Sequence, residues 1–187
     1  EIEALWKPFA FGRGTTTLAG ALGAALRERG LTMALAESCT GGLAGSLVTA
    51  ESGSSAWFLG GLMTYANEAK RDLCGVPEAL IAEHGAVSAP VAAALARGAR
   101  ERLRADWAAS ITGVAGPNGG SDAKPVGTVY IGVSGPGFES VRRFKYPGER
   151  ASVRDRAAKT ALVLLRLAVA EREHFGATFI WEWPEGG

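Results

Sequence analysis

The chain has 187 residues, of which 47% are hydrophobic and 21% charged, and this composition fits one globular domain. Twenty basic residues nearly balance nineteen acidic ones, so no strong net charge favours nucleic acid as a partner. No apolar run approaches the roughly 18 residues that span a membrane, and the N-terminus lacks a secretory signal pattern, so we expect a cytoplasmic protein without a membrane partner.

The first third of the chain alternates between predicted helices and strands. Residues 1–16 show no periodicity and are interpreted as a linker or arm. A helix is predicted from about Thr17 to Arg29, because leucines recur on one face and Gly30 follows. Residues 31–36 predict a buried strand, and residues 43–50 a helix. The apolar run 57–66 predicts a second buried strand.

The rest of the chain continues the alternation and then changes to a hairpin. Three helices are predicted at 67–73, 78–84 and 88–104, the last of them alanine-rich. A strand at 107–112 enters a glycine-rich loop, and residues 126–133 and 138–146 predict paired strands around the turn at 135–137. A long helix follows at 150–173, and the tail 174–187 is not assigned. This order predicts a three-layer α/β/α sandwich with a mixed sheet, in a single domain at 17–173.

The long helix at 150–173 carries two apolar stripes. One contains Val153, Ala157 and Ala161, and the other contains Leu162 and Leu165. Two stripes need two covering surfaces, so we expect one to face the sheet and the other a partner subunit. The alternative is a fully buried helix in a monomer.

The turn at 38–42 is the first candidate binding site. It lies between a predicted strand and a predicted helix, and Gly41 and Gly42 allow the chain to reverse there. Ser38 and Thr40 then stand at a helix N-terminus, whose free N–H groups can bind a phosphate, a carboxylate or an oxyanion. The simpler alternative is that one of these hydroxyls only caps the helix.

The scarcity of histidine and cysteine limits the possible chemistry. Two histidines and two cysteines are too few for the usual zinc cluster or for a disulfide scaffold, so we expect no metal and no cofactor. Hydrolysis of an amide without a metal needs a nucleophile, a base and oxyanion donors. Lys70, just past an apolar strand, is the candidate base, since a buried lysine can lose its charge. The candidate nucleophiles are Ser38, Ser54, Ser55 and Cys39.

The glycine-rich loop at 113–121 is a second candidate for anion binding. It matches neither a dinucleotide fingerprint nor a phosphate loop, so the motif alone is weak. It gains significance if Thr112 lies at the same sheet edge as the Ser38 turn, where α/β proteins usually bind ligands. Lys124 adds a positive charge nearby.

Six motifs in this order resemble the C-terminal domain of the CinA family, over roughly residues 17–170. They are AESCTGG (36–42), GSSAWF (53–58), TYANEAK (64–70), HGAVS (84–88), ITGVAGPNGG (111–120) and KPVGT (124–128). That domain is the family's nicotinamide mononucleotide deamidase, and residues 1–16 resemble the segment joining it to an N-terminal pyrophosphatase domain. The resemblance implies hydrolysis of the nucleotide's carboxamide to nicotinic acid mononucleotide and ammonia, by a homodimer with no metal requirement.

The resemblance also implies roles for individual residues. The family's Ser-Lys dyad falls on Ser55 and Lys70, with Ser38 and Tyr65 in supporting catalytic positions. Substrate contacts are expected from two glycine-rich stretches and one arginine: Thr40, Gly41, Gly42, Thr112, Gly113, Gly116 and Arg143. Arg150 belongs to the same basic segment as Arg143, for phosphate or interface contact. The alternative function is a non-catalytic nucleotide-binding or dimerisation module of a two-domain CinA protein, and a second alternative is a cysteine amidase using Cys39.

Overall fold

The computed structural model describes residues 10–183. Most of the predicted arm at 1–16 and the last four residues of the predicted tail therefore lie outside the described residues. The helices are α1 (Leu18–Glu28), α2 (Leu43–Thr49), α3 (Asn67–Cys74), α4 (Glu78–His84), α5 (Ala89–Leu103) and α6 (Arg150–Ala170). The strands are β1 (Met33–Glu37), β2 (Phe58–Met63), β3 (Trp107–Gly113), β4 (Thr128–Gly135) and β5 (Phe138–Lys145), with short 3₁₀ turns at Ser54–Ala56 and Arg172–His174.

The five strands form one mixed sheet in the order β2-β1-β3-β4-β5. The strand β1 runs parallel to both of its neighbours, β2 and β3. The strand β4 runs antiparallel to both of its neighbours, β3 and β5. The turn between β4 and β5 is the predicted hairpin, with Gly135 paired to Phe138. The predicted α/β fold with a mixed sheet is confirmed.

Helices cover both faces of the sheet. On one face, α1, α2 and α6 bury Leu22, Val48 and Leu164 against the side chains of Leu35 and Ile131. On the other face, α3 and α5 pack against the small side chains that β1 and β3 present there. The two faces have separate hydrophobic clusters, as expected for three layers.

The alanine-rich helix α5 lies unusually close to the sheet. A Cβ atom at Gly132 of β4 would lie 2.6 Å from the carbonyl oxygen of Ala92, and the Ser110 hydroxyl donates to that oxygen at 2.6 Å. The helix α5 also lies close to the end of α3, because a Cβ at Gly98 would lie 1.9 Å from the carbonyl oxygen of Cys74. Small residues at these contacts therefore let the helix approach both the sheet and the end of α3.

The prediction that residues 57–66 form a buried strand is wrong in one respect. The strand β2 lies at the edge of the sheet, where its residues alternate between partly buried and exposed. Leu59 and Met63 point to solvent and are 42% and 52% exposed. A continuous apolar run is typical of a central strand, and here half of it has no covering layer.

The prediction that one stripe of α6 faces a partner subunit is also wrong. Leu162 and Leu165 are no more than 1% exposed, as are Val153 and Leu164 of the other stripe. The helices α1 and α2 pack against α6 in the same layer, so both stripes are covered within this chain. A homodimer stays a prediction that this helix does not support. In residues 10–183 no helix is both long and apolar enough to cross a membrane.

The segment after α6, which the sequence left unassigned, runs along the free edge of β5. Trp183 N donates to Arg143 O at 2.9 Å, and Lys145 N donates to Trp181 O at 2.9 Å. The Arg142 guanidinium forms an ion pair with the Glu182 carboxylate. The edge of β5 is therefore covered by the chain's own C-terminal segment.

The connections after β1 and β2 leave the sheet on opposite faces. The chain leaving β1 enters α2 on one face, and the chain leaving β2 enters α3 on the other. Such a reversal opens a crevice at the carboxyl ends of the strands, where ligands bind in open α/β sheets.

Candidate active site

Lys70 lies at this carboxyl edge, with its side chain buried. Only 2% of the residue is exposed, although it belongs to the short helix α3. Its Nζ donates to Thr64 O at 2.8 Å, to Tyr65 O at 3.1 Å and to Ser38 Oγ at 3.3 Å. The β2–α3 loop and the β1–α2 turn therefore converge on one amine.

The pKa of the Lys70 ammonium lies below its ordinary value of 10.5. The main cause is desolvation, because burial penalises the charged form. Electrostatic interactions with Cys39, Cys74 and Glu68 act in the opposite direction, but they are smaller effects. Lys70 is therefore more easily deprotonated than a lysine at the surface.

The hydrogen bonds of Lys70 also suit the neutral amine. A neutral amine has two N–H donors and one lone pair, and the carbonyls of Thr64 and Tyr65 take the two donors. Its lone pair then faces Ser38 Oγ, whose hydroxyl can donate to it. This geometry lets Lys70 remove the proton from the Ser38 hydroxyl.

Ser38 is the first residue after β1 and is held between two neighbouring strands. Its backbone N–H donates to Ile111 O at 2.9 Å, which extends the pairing with β3. On the other side, Thr64 N donates to Glu37 O at 2.8 Å. These backbone contacts hold the Ser38 hydroxyl beside Lys70. Ser38 is 8% exposed, so its hydroxyl has limited access to solvent.

The expected pairing of Ser55 with Lys70 is wrong. Ser55 lies in the exposed 3₁₀ turn before β2, whereas Lys70 lies after β2. The six residues of β2 separate the two sites by roughly 20 Å. Because β2 pairs in parallel with β1, Ser55 lies beside the start of β1 and Lys70 beside its end. The serine that meets Lys70 is Ser38, one of the candidate nucleophiles, to which the family resemblance gave only a supporting role.

Glu37 supplies the carboxylate that caps α2. Its side chain is 3% exposed and accepts from Gly42 N at 3.1 Å, Ala44 N at 3.1 Å and Gly45 N at 2.7 Å. Neither Ser38 nor Thr40 caps this helix, contrary to the simpler alternative. The expectation that Gly42 N would bind a substrate anion is also wrong, because Glu37 already occupies it.

Replacing Glu37 with Gln is expected to destabilise the protein. The amide keeps one acceptor oxygen but brings its NH₂ group against backbone N–H donors, so we expect a loss of roughly 1–3 kcal/mol in the free energy of unfolding. Urea denaturation monitored by circular dichroism measures this. Glu101→Gln, on the exposed side of α5, serves as the control and should change stability by less than about 0.5 kcal/mol. An equal effect of both substitutions would contradict the capping role.

One N–H group in the turn after Ser38 is available to a ligand. Gly41 N donates to Ser38 O at 3.1 Å, and Leu43 N donates to Thr40 O at 3.4 Å. The N–H groups of Cys39 and Thr40 donate to no other residue among those that the structure describes, but Thr40 is fully buried. The Cys39 N–H follows Ser38 directly and is the candidate oxyanion donor.

The hydroxyls of Thr112 and Tyr65 differ in what they can donate. Thr112 Oγ1 donates its proton to Ala86 O at 2.8 Å, so in this arrangement that hydroxyl has no proton to donate to an oxyanion. Tyr65 Oη instead accepts from Arg150 Nη2 at 3.2 Å and keeps its own proton. Tyr65 is 61% exposed and is therefore accessible to a ligand.

These groups line one cleft, called here the Ser38 cleft, with a volume of about 270 Å³. It brings together six of the residues predicted from the sequence: Ser38, Tyr65, Lys70, Thr112, Gly113 and Gly116. The remaining walls include Asn67, Asn118 and Arg150. Asn67 and Asn118 were not singled out, although both lie inside the recognised motifs, because an asparagine in a turn has an ordinary structural explanation.

The other predicted contacts lie outside the Ser38 cleft. Thr40, Gly41 and Gly42 belong to the turn behind Ser38, and the Thr40 side chain is fully buried. Arg143 lies on β5 opposite Tyr130 and stacks over the Trp183 ring at 3.9 Å. The expectation of substrate contact by Arg143 is wrong, because β5 is three strands away from β1.

Cys39 lines the Ser38 cleft, but its thiol is poorly suited to act as the nucleophile. Burial raises its pKa to about 12, partly offset by its own backbone and by the charge of Arg154. Little of this thiol is therefore in the reactive thiolate form near neutral pH. This argues against the alternative of a cysteine amidase.

We therefore expect Cys39→Ala to retain activity of the same order as wild type, since the backbone N–H is unchanged. Ammonia release by the two proteins is the measurement. Complete loss in this variant, with the fold intact by circular dichroism, would restore the cysteine alternative.

Residues 15–169 match a family model described as the CinA C-terminal domain. A CinA-like protein of Geobacter sulfurreducens is 55% identical over 153 residues, which cover 82% of this chain and 37% of that protein. A CinA-like protein of Anaeromyxobacter dehalogenans is 52% identical over 160 residues, covering 85% of this chain and 39% of the relative. The chain thus spans less than half the length of these relatives.

Solved structures of similar chains match over nearly their whole length. The competence/damage inducible protein CihA from Agrobacterium tumefaciens has a TM-score of 0.80 and 38% identity, covering 86% of this chain and 98% of that one. A competence-damaged protein (CinA) superfamily protein from Escherichia coli has a TM-score of 0.74 and 32% identity, covering 87% and 98%.

Proposed function

Because this chain belongs to the CinA family, through that family's C-terminal domain, we propose that it hydrolyses the carboxamide of nicotinamide mononucleotide. The products are nicotinic acid mononucleotide and ammonia. We assign Ser38 as the nucleophile and Lys70 as the general base, which replaces the expected pair of Ser55 and Lys70.

The observation that carries this proposal is the contact between Lys70 Nζ and Ser38 Oγ, at 3.3 Å in a partly closed cleft. A serine hydroxyl is a weak nucleophile unless a neighbouring base removes its proton. Lys70 is buried, its pKa is lowered, and two carbonyls orient its amine toward that hydroxyl. These are the properties that general-base catalysis by lysine requires.

In the first half of the reaction, neutral Lys70 takes the Ser38 proton while Oγ bonds to the carboxamide carbon. The pyridinium charge of the substrate makes that carbon more electrophilic. The negative oxygen of the tetrahedral intermediate can accept from the Cys39 N–H and from the Tyr65 hydroxyl. The Lys70 ammonium then gives its proton to the amide nitrogen, the C–N bond breaks, and ammonia leaves.

In the second half, water attacks the carbonyl carbon of the ester on Ser38. Lys70, now neutral again, accepts a proton from that water, and the C–O bond to Ser38 Oγ breaks. The proton returns to Oγ, which restores the enzyme. The product leaves as a carboxylate after losing its acid proton to solvent.

Ammonia release from nicotinamide mononucleotide by the purified chain tests the proposal, with nicotinic acid mononucleotide identified by chromatography. One ammonia per molecule of acid is expected. Binding of the nucleotide without any turnover would instead favour the alternative, a non-catalytic nucleotide-binding module.

A further inference from the structure

Two of the six motifs, HGAVS (84–88) and KPVGT (124–128), have no part in the proposed reaction, yet a hydrogen bond joins them. The Lys124 ammonium donates to His84 O at 2.7 Å, across 40 residues of chain. Its Nζ also lies close to Gly85, where a Cβ atom would be only 3.4 Å away. Lys124 therefore contacts the connection between α4 and α5.

This connection is attached at two points to the β3–β4 segment of the chain. Ala86 O accepts from the Thr112 hydroxyl at 2.8 Å, and His84 O accepts from Lys124. In the described part of the chain, no backbone N–H donates to either carbonyl. Thr112 and Lys124 lie on either side of the glycine-rich loop at 113–121, so both ends of that loop are attached to the same connection.

The end of α4 favours a positively charged partner. His84 is the last residue of this helix, and the last carbonyl groups of a helix lack partners within it and carry a partial negative charge. A lysine ammonium is a suitable donor to such a carbonyl. The contact with Lys124 is charge-assisted and short, and hydrogen bonds of this kind are stronger than neutral ones.

Both segments that Lys124 joins form walls of the Ser38 cleft. Ala86 belongs to the α4–α5 connection, and Asn118 and Gly119 belong to the glycine-rich loop. Lys124 itself does not line this cleft. It can therefore affect a ligand through the position of these walls, but not by direct contact.

The glycine-rich loop depends on such contacts to keep one conformation. Gly116 and Gly119 have φ values of +84° and +89°, in the left-handed region that glycine adopts freely. Glycines also restrict the backbone less than other residues do. At the far end of the loop, Lys124 N donates to Ser121 Oγ at 3.1 Å and closes the turn at 121–124. The Lys124 side chain then attaches this closed turn to the end of α4.

We propose that Lys124 is a positioning residue for substrate binding. Its contact with His84 O holds the glycine-rich loop against the α4–α5 connection, so that both walls of the Ser38 cleft are in place before a substrate binds. Such pre-organisation raises affinity, because fewer groups have to be ordered on binding. Ser38 and Lys70 lie on other elements, so the chemical step should not depend on Lys124.

Lys124→Met tests the proposal, because methionine keeps most of the aliphatic stem but has no ammonium. We expect KM for nicotinamide mononucleotide to rise roughly five- to twentyfold, while kcat changes less than about twofold. Lys159→Met removes an equal charge from the exposed side of α6 and should leave both constants unchanged. Initial rates of ammonia release at a series of substrate concentrations give KM and kcat, and this measurement rests on the proposed function.

Hydrogen exchange of the backbone amides, followed by mass spectrometry, tests the same contact without turnover. In Lys124→Met, residues 85–88 and 116–123 should exchange roughly tenfold faster than in wild type, and the rest of the chain should exchange as before. Faster exchange throughout the chain would show a merely structural role and overturn the proposal. Unchanged exchange would also overturn it, as would an unchanged KM, a larger change in kcat than in KM, or an equal rise of KM in Lys159→Met.

A wild-type chain that releases no ammonia would contradict the proposed function, and calorimetric titration with nicotinamide mononucleotide would then replace the measurement of KM. Wild type and Lys159→Met should bind the nucleotide equally well, and Lys124→Met should bind it roughly tenfold more weakly. No binding by wild type, or equal binding by all three proteins, would overturn the positioning role of Lys124.

Discussion

Replacing Ser38 with Ala is expected to lower ammonia release from nicotinamide mononucleotide by about 10³-fold or more, as for other enzymes that lose a covalent nucleophile. The reason is that no other hydroxyl is within hydrogen-bond distance of Lys70 Nζ in residues 10–183. The side chain removed is small and 8% exposed, so the fold should be retained. The measurement compares the initial rates of ammonia release by wild type and Ser38→Ala, and circular dichroism spectra check that both are folded.

Ser55→Ala is the matched control for this experiment, since it removes the same hydroxyl from the opposite end of β2. Ser55 is exposed and outside the Ser38 cleft, so its loss should leave the rate close to wild type. The reverse outcome, with Ser55→Ala inactive and Ser38→Ala active, would rule out the mechanism proposed above. A covalent intermediate trapped on Ser38 and seen by mass spectrometry would support it independently.

Replacing Lys70 with Met is expected to lower the rate by about 10²- to 10⁴-fold, the usual contribution of a general base. Methionine has a similar length and can fill the buried space without bringing a charge. In wild type, activity depends on the neutral amine, so kcat/KM should rise with pH to a plateau. The midpoint of that rise should lie below 10.5, because burial lowers the pKa of Lys70.

The pH dependence of the protein's stability tests the lowered pKa of Lys70 by a measurement that does not depend on turnover. Its folded-state pKa lies below the unfolded value, so the unfolded chain binds more protons between the two values. The free energy of unfolding should therefore increase with pH across that window, and Lys70→Met should remove this increase. A variant that keeps wild-type rates, or that keeps the pH dependence of both measurements, would show that Lys70 is not the base.

Much of the secondary structure could be predicted from local patterns. Thr17 caps α1 as expected, with Gly20 N donating to its hydroxyl at 2.9 Å. The glycine-rich turn at 135–137 joins two paired strands, and the long helix begins at Arg150 as predicted. These features depend on contacts within a few residues, and so a single sequence contains the necessary information.

The faces and edges of the elements were predicted less well. The apolar run of β2 did not reveal that this strand lies at the edge, and the second stripe of α6 did not reveal that α1 and α2 cover it. Hydrophobicity indicates that a surface is covered, but it does not identify the segment of chain that covers it.

The sequence by itself determined the order of strands and helices, the family and the choice of Lys70, since each follows from local periodicity, motif content or the scarcity of histidine. Only the tertiary structure decided which serine meets that lysine. Ser55 is 15 residues from Lys70 and Ser38 is 32 residues away, yet an extended strand separates the nearer pair. Parallel pairing of β1 with β2 places Ser38 at the same end of the sheet as Lys70, because parallel strands end at a common edge.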